Sequence, residues 1–127
     1  MQFRLVPGYH QLLIDGIEWQ AGNVLHHGGS RSLGPFVRVV DSIKDGRPVA
    51  SGLVLTEIAD EDLEIATGAM EAYYAHTEET LFVDHEGCIN LIQMLRNAED
   101  ICCLAVGKKP ATRESLPVVH EYATRRR

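Results

Sequence analysis

The sequence predicts a single α+β domain of two layers: a mainly antiparallel β-sheet built from N-terminal hairpins, with two α-helices, about 60–76 and 85–98, packed on one face. Three observations predict it. Two Asp-Gly dipeptides, Asp15-Gly16 and Asp45-Gly46, interrupt apolar runs in the first half as two-residue hairpin turns do, because glycine tolerates positive φ. From Ala59 onward the apolar residues change to helical spacing. The 127 residues, 45% apolar and 24% charged, suffice for one hydrophobic core and have the balance of an ordinary globular chain.

Taken in order, Tyr9 to Gln20 reads as a hairpin around Asp15-Gly16. Phe36 to Lys44 and Arg47 to Glu57 read as a second, with Phe36, Val37, Val39, Val40 and Ile43 facing Val49, Leu53, Val54 and Leu55 across Asp45-Gly46. Pro48 lacks a donor and places the returning strand at an edge. Asp60-Glu61-Asp62 supplies a cap and the negative charge that a helix start favours, after which Leu63, Ala66, Met70 and Tyr73 or Tyr74 form an apolar face ending near His76. Gly68 inside that helix costs about 1 kcal/mol relative to alanine and suggests close packing. Leu81-Phe82-Val83 is a short strand, Asp84 caps the second helix, and Ile89, Leu91, Ile92 and Leu95 form its buried face. Ile101 to Val106, continuously apolar, reads as a strand buried on both faces. Residues 108–127 form a partly irregular basic segment of the same domain, with a short strand expected at Val118 to Tyr122.

Charge is unevenly distributed behind a net value of −6. Residues 59–106 hold eleven carboxylates against Arg96 alone, and residues 107–127 hold six cations against two carboxylates. An acidic body repels phosphate backbones, so general nucleic-acid binding is not expected. No apolar run reaches the roughly 18 residues of a membrane helix. The amino terminus has too brief an apolar stretch for a signal peptide, and Cys88, Cys102 and Cys103 are odd in number with two adjacent, so free thiols and a cytoplasmic location are expected.

The least ordinary stretch is His26-His27-Gly28-Gly29-Ser30-Arg31-Ser32. Its glycines free backbone N–H groups and its arginine offers a planar fork, the means by which loops hold phosphate or carboxylate. Gly28, Gly29, Ser30 and Arg31 are therefore the candidate ligand-binding residues for a small anionic ligand, with His27 and His26 as weak candidates for a general base. No metal site is expected, because adjacent histidines on a strand point to opposite faces. His76-Thr77-Glu78 is similar to the histidine–glutamate spacing of zinc nucleobase deaminases, but Cys102 and Cys103 are adjacent where that chemistry needs thiolates two residues apart. His85-Glu86-Gly87-Cys88 and His120-Glu121 are superficially similar to the two metal motifs of peptide deformylases, but Thr124 stands where the second imidazole should be. Cys88 near a helix start has the position of an activated nucleophile, but its spacing to Ile92 and Leu95 turns it toward the core. Walker, dinucleotide, nucleophile-elbow and calcium-loop motifs are missing, so no cofactor is expected.

Two readings follow. The first is a non-enzymatic binding or regulatory module with an acidic helical face, in which Glu61, Glu64, Glu71, Glu78 and Glu79 meet a protein partner and the chain self-associates as a homodimer. The alternative is a small hydrolase or transferase acting on an anionic substrate at the His26–Arg31 loop.

Overall fold

The computed structural model describes residues 1–27, 33–77, 83–105 and 107. Strand β1 (Gln2–Leu5) leads into helix α1 (Pro7–His27), followed by α2 (Leu33–Lys44), β2 (Arg47–Pro48), β3 (Val54–Glu57), α3 (Leu63–Thr77) and α4 (His85–Ala105). The α+β class holds, with helices as the larger part and a small antiparallel sheet in the order β1-β3-β2.

The first expected hairpin is replaced by a helix, and so is the first arm of the second, whose returning arm Arg47–Glu57 does hold strands β2 and β3. Tyr9–Gln20 lies inside α1, where Tyr9, Leu12, Leu13, Gly16 and Ile17 are all buried at three- and four-residue spacing. Pro7 suits the first helical position because its fixed φ is already helical and its missing N–H would have no partner there. Gly16 makes no reversal: it is where α1 crosses α3. A Cβ on Gly16 would overlap the Met70 thioether and stand 3.1 Å from Tyr73 Cδ2.

Phe36–Lys44 likewise belongs to α2, which buries Val39, Val40 and Ile43 and leaves Val37 exposed. Asp45-Gly46 closes that helix: the Asp45 N–H donates to Asp41 O and the Gly46 N–H to Ile43 O, both at 3.0 Å. The Ile43 carbonyl also accepts from His10 Nε2 at 2.7 Å, which fixes the proton on that nitrogen and ties α1 to the end of α2. The reversal that does join two strands is at Ala50–Gly52, between β2 and β3, where Ser51 and Gly52 adopt φ of 78° and 74°. Pro48 sits on edge strand β2, where its missing donor is harmless.

β1 pairs with β3 in the register Phe3↔Thr56 and Leu5↔Val54, which turns Phe3 and Leu5 inward and Gln2 and Arg4 outward. The two later helices form as expected, with shifted bounds. Asp60–Asp62 is a 3-10 turn feeding α3, and Asp84 caps α4, its Oδ1 accepting the Gly87 N–H at 2.8 Å. The expected strand at Ile101 to Val106 is, over its described residues, the last turns of α4, and Ile101 and Leu104 are 58% and 64% exposed. A continuous apolar run does not separate a buried strand from a helix end. The strands expected at 81–83 and 118–122 lie outside the described residues, apart from Val83, which is in no strand.

α3 and α4 run antiparallel. Arg96 Nη2 donates to Glu71, Thr67 Oγ1 lies 2.7 Å from Glu99 Oε2, and His85 Nε2 donates to Thr77 O, a ladder of pairs whose numbers fall as their partners' rise. The core is shared by α1, α2, α3, α4 and the inner face of the sheet, with Leu5, Leu13, Ile17, Ile43, Met70 and Leu95 at its centre. Helices therefore pack on one another as well as on the sheet, a bundle with a small sheet attached rather than two helices laid on a broad one.

Candidate functional site

Carboxylates dominate the described surface: fourteen Asp and Glu stand against five Lys and Arg among the described residues. The structure sorts them into those used internally and those left facing water. Asp62, fully buried at the start of α3, accepts from Arg38 Nε at 3.1 Å and from Arg38 Nη2, so α2 is clamped to α3 by a two-pronged ion pair. That contact, with the neighbouring Glu61 charge adding to it, raises the Arg38 pKa further. Glu71 is consumed in the same way by Arg96, so it is a strut between α3 and α4 rather than a free docking group.

Glu61 and Glu64 are exposed one helical turn apart, with Asp60 beside them. The Asp60 carboxylate accepts from the Met1 amine at 3.1 Å. It also meets the Cys102 thiol from the far end of α4. Burial, then the Asp60 charge and its hydrogen bond, push that thiol's pKa up. The end of α4 thus stands beside the start of α3, next to the exposed carboxylates. Glu78 and Glu79, the other two residues expected on this face, lie outside the described residues.

At the opposite end of α3 the structure assembles groups that sequence spacing did not join. Tyr9, Asp15, Tyr73 and Asp84 line a cleft of about 410 Å³ with Leu12 and Val83. Trp19 stacks obliquely on both Tyr73 and His76, with ring centroids 5.7 and 5.6 Å apart. Burial, with the Asp15 charge second, raises the Tyr73 phenol's pKa. Tyr9 accepts at its hydroxyl from the fully buried Asn90 amide at 2.6 Å. These residues come from three helices and the segment before α4, separated by tens of positions. Read as a helix, Tyr9-Leu12-Asp15 was the signal available, since it sets the aromatic and the acid within two turns.

Of the anion-loop residues, His26 is exposed in the last turn of α1 and His27 ends that helix, while Gly28, Gly29, Ser30 and Arg31 lie outside the described residues. The negative end of the α1 dipole faces that turn and does not favour an anion there. Among the described residues no group of three His, Cys, Asp or Glu side chains is placed to hold a metal ion, and no helix is long and apolar enough to cross a membrane. All three cysteines are free thiols.

Cys88 is fully buried, and its pKa is pushed from an ordinary 9.0 to about 12 by burial, with the Asp84 charge second. A thiolate nucleophile at neutral pH is incompatible with that environment. The shift also has a sign for stability. Below pH 9.0 the thiol is protonated in folded and unfolded chains alike; from there to about 12 only the unfolded chain releases the proton, so stability is lost as pH rises through that window. Urea midpoints measured from neutral to strongly alkaline pH are expected to fall, and less steeply in Cys88→Ala. Identical slopes would contradict the burial argument.

Comparison of the chain with protein-family models, with curated proteins and with solved structures finds no match.

Proposed function

We propose that this protein is a non-enzymatic binding module that receives a basic protein segment on the acidic end of α3. The observation that carries the reading is the division of labour among the carboxylates: Asp62 and Glu71 are held by the chain's own arginines, while Glu61 and Glu64 face water on a body that is strongly acidic among its described residues. Glu61 only adds to the charge around Arg38, and neither Glu61 nor Glu64 is in an ion pair among the described residues, so an opposite charge brought to them gains attraction without breaking an internal pair. The inert Cys88 thiol also favours binding over nucleophilic chemistry.

Self-association belongs to the same reading. Ala21, Phe36, Val37 and Val40 line a shallow groove of about 260 Å³ between α1 and α2, with the Glu18–Lys44 ion pair at its rim, and Val37 is 54% exposed. An apolar strip with a polar rim is the composition of a small interface.

The test is fluorescence anisotropy with a labelled oligo-arginine peptide, paired with sedimentation of the protein alone to read its mass. Affinity is expected to fall by about tenfold or more when salt shortens the screening length from roughly 10 Å to a few ångströms. It should fall comparably in Glu61→Lys/Glu64→Lys, whose fold is checked by circular dichroism. Glu71→Gln is expected instead to lower the melting temperature, because it breaks the strut to Arg96. Salt-insensitive binding, or equal binding by the charge-reversed variant, would remove the basis of the proposal.

A further inference from the structure

We infer that the cleft between α1, the end of α3 and the start of α4 is a binding site for an alkylammonium group, held by Asp15 and Asp84 against the rings of Tyr9 and Tyr73. It lies at the other end of α3 from Glu61 and Glu64 and stands independently of the reading proposed for them.

The cleft's size and lining set the class of ligand. At about 410 Å³ it is in the range of small-molecule sites. Val6, Leu12 and Val83 supply apolar wall, Tyr9 and Tyr73 aromatic wall, and Asp15 and Asp84 the charge, and among the described residues no lysine, arginine or histidine lines it. An anion would be repelled by both acids. A metal ion would need a third donor, and no group of three His, Cys, Asp or Glu is placed to hold one among the described residues. An ammonium on an aliphatic stem satisfies both kinds of wall: its charge meets the carboxylates and the negative faces of the rings, and its stem covers the apolar side chains.

A second observation separates this cleft from a mere pair of acids. Tyr9 is buried, and its hydroxyl accepts the amide of Asn90, which is fully buried. The other end of that amide, Asn90 Oδ1, has no hydrogen-bond partner. It shares the amide plane with Nδ2 and therefore stands close to the Tyr9 hydroxyl. A buried acceptor without a donor costs stability, and native proteins keep few of them. An ammonium seated against Tyr9 brings N–H donors to this corner, where the protein itself supplies acceptors in excess.

The lining groups are also held in place before any ligand arrives. Asp15 Oδ1 accepts from Gln11 Nε2 and Asp84 Oδ1 from the Gly87 N–H, both at 2.8 Å, and the second oxygen of each acid has no hydrogen-bond partner among the described residues. Trp19 stacks obliquely on Tyr73 and fixes that ring from behind. Gly87 lets the first turn of α4 press against α1: a Cβ there would stand 2.5 Å from Asp84 Oδ2 and 2.8 Å from Leu12 Cδ2. Side chains locked by their neighbours lose little freedom on binding, which favours affinity from few contacts. The Tyr73 phenol, whose pKa is raised by burial and then by the Asp15 charge, reports the same negative field.

The experiment is titration of the full chain with diaminobutane, followed by calorimetry and by the emission of Trp19, the chain's single tryptophan. Saturable binding with half-saturation below about 1 mM is expected, with a change in emission because Trp19 touches Tyr73. Butanediol, the neutral counterpart of the same shape, should bind at least about tenfold more weakly. Asp15→Asn/Asp84→Asn removes both charges while asparagine still caps α4, and is expected to weaken the diamine by about tenfold or more. Glu61→Gln/Glu64→Gln removes the same charge at the far end of α3 and should leave diamine affinity unchanged. Lysine blocked at both backbone ends is the second ligand: tighter binding than diaminobutane assigns the site to a protein side chain, and weaker binding assigns it to a free amine.

Equal binding of butanediol and diaminobutane would overturn the inference, and this comparison on the wild-type chain holds even if a variant fails to fold. So would an equal loss of diamine affinity in the Glu61/Glu64 variant, which would reduce the effect to general attraction by an acidic protein, or no saturation by either amine. Oligo-arginine binding at Glu61 and Glu64 is read separately, so either site can fail without the other.

Discussion

Leu13→Ala is expected to lower the unfolding free energy by about 3 kcal/mol, inside the roughly 2–5 kcal/mol range for truncating a buried leucine. Leu13 is fully buried at the middle of α1, on the face that meets the other helices, and shares its core with Ile17, Met70, Leu91 and Leu95. Since small domains have only about 5–15 kcal/mol in total, one methyl-rich side chain accounts for a large share. Urea unfolding followed by circular dichroism at 222 nm, an operating wavelength of roughly that value for helices, measures the shift. Gln11→Ala, exposed two positions earlier, is the control and should move stability by no more than about 0.5 kcal/mol. A loss at Leu13 as small as the control's would mean that α1 does not bury this face.

The second large effect is expected at Gly16. Valine there meets the Met70 thioether and the Tyr73 ring at the α1–α3 crossing, and overpacking of that kind costs about 1–3 kcal/mol or more. Met70 is fully buried and has little room to withdraw, although its thioether is the mobile end of a flexible side chain. Gly16→Ala is the milder case, because alanine's better helix propensity, worth up to about 1 kcal/mol, offsets part of the clash. The diagnostic is the double variant: Met70→Ala should cost stability alone yet relieve part of the Gly16→Val penalty, a coupling that a mutant cycle reads directly. Strict additivity would show that the two side chains do not compete for one space.

Both predictions fall in a segment whose pattern admits two interpretations. Tyr9, Leu12, Leu13, Gly16 and Ile17 recur at helical spacing, and so do Phe36, Val39, Val40 and Ile43, yet each run also contains β-branched residues and abuts an Asp-Gly pair. An Asp-Gly pair is a local and strong hairpin signal, and it favours the strand pattern. In the fold it marks a helix crossing at Gly16 and a helix end at Gly46, since a residue without a Cβ serves a close approach or a chain terminus as well as a hairpin. Beyond Ala59 the agreement is closer: no competing turn interrupts Leu63-Ala66-Met70, and Asp84 caps the following helix as its spacing implies.

The candidate site divides in the same way. The excess of carboxylates in the second half and of cations after Gly107 is a property of composition, and so is the inability of Cys102 and Cys103 to bridge each other. Which carboxylates remain available is not. Glu61, Glu64 and Glu71 share a helical face in the sequence, but Arg96 of α4 takes Glu71, and the neighbouring Asp62 turns inward to Arg38 of α2.

By itself, the sequence determined the α+β class, the helical character of the segments that became α3 and α4, and the segregation of charge along the chain. Only the tertiary structure decided that the first half is helical, that the sheet is small, and which acids face water. The physical reason is that periodicity and composition are local, whereas a close helix crossing and an ion pair between helices depend on residues twenty or more positions apart.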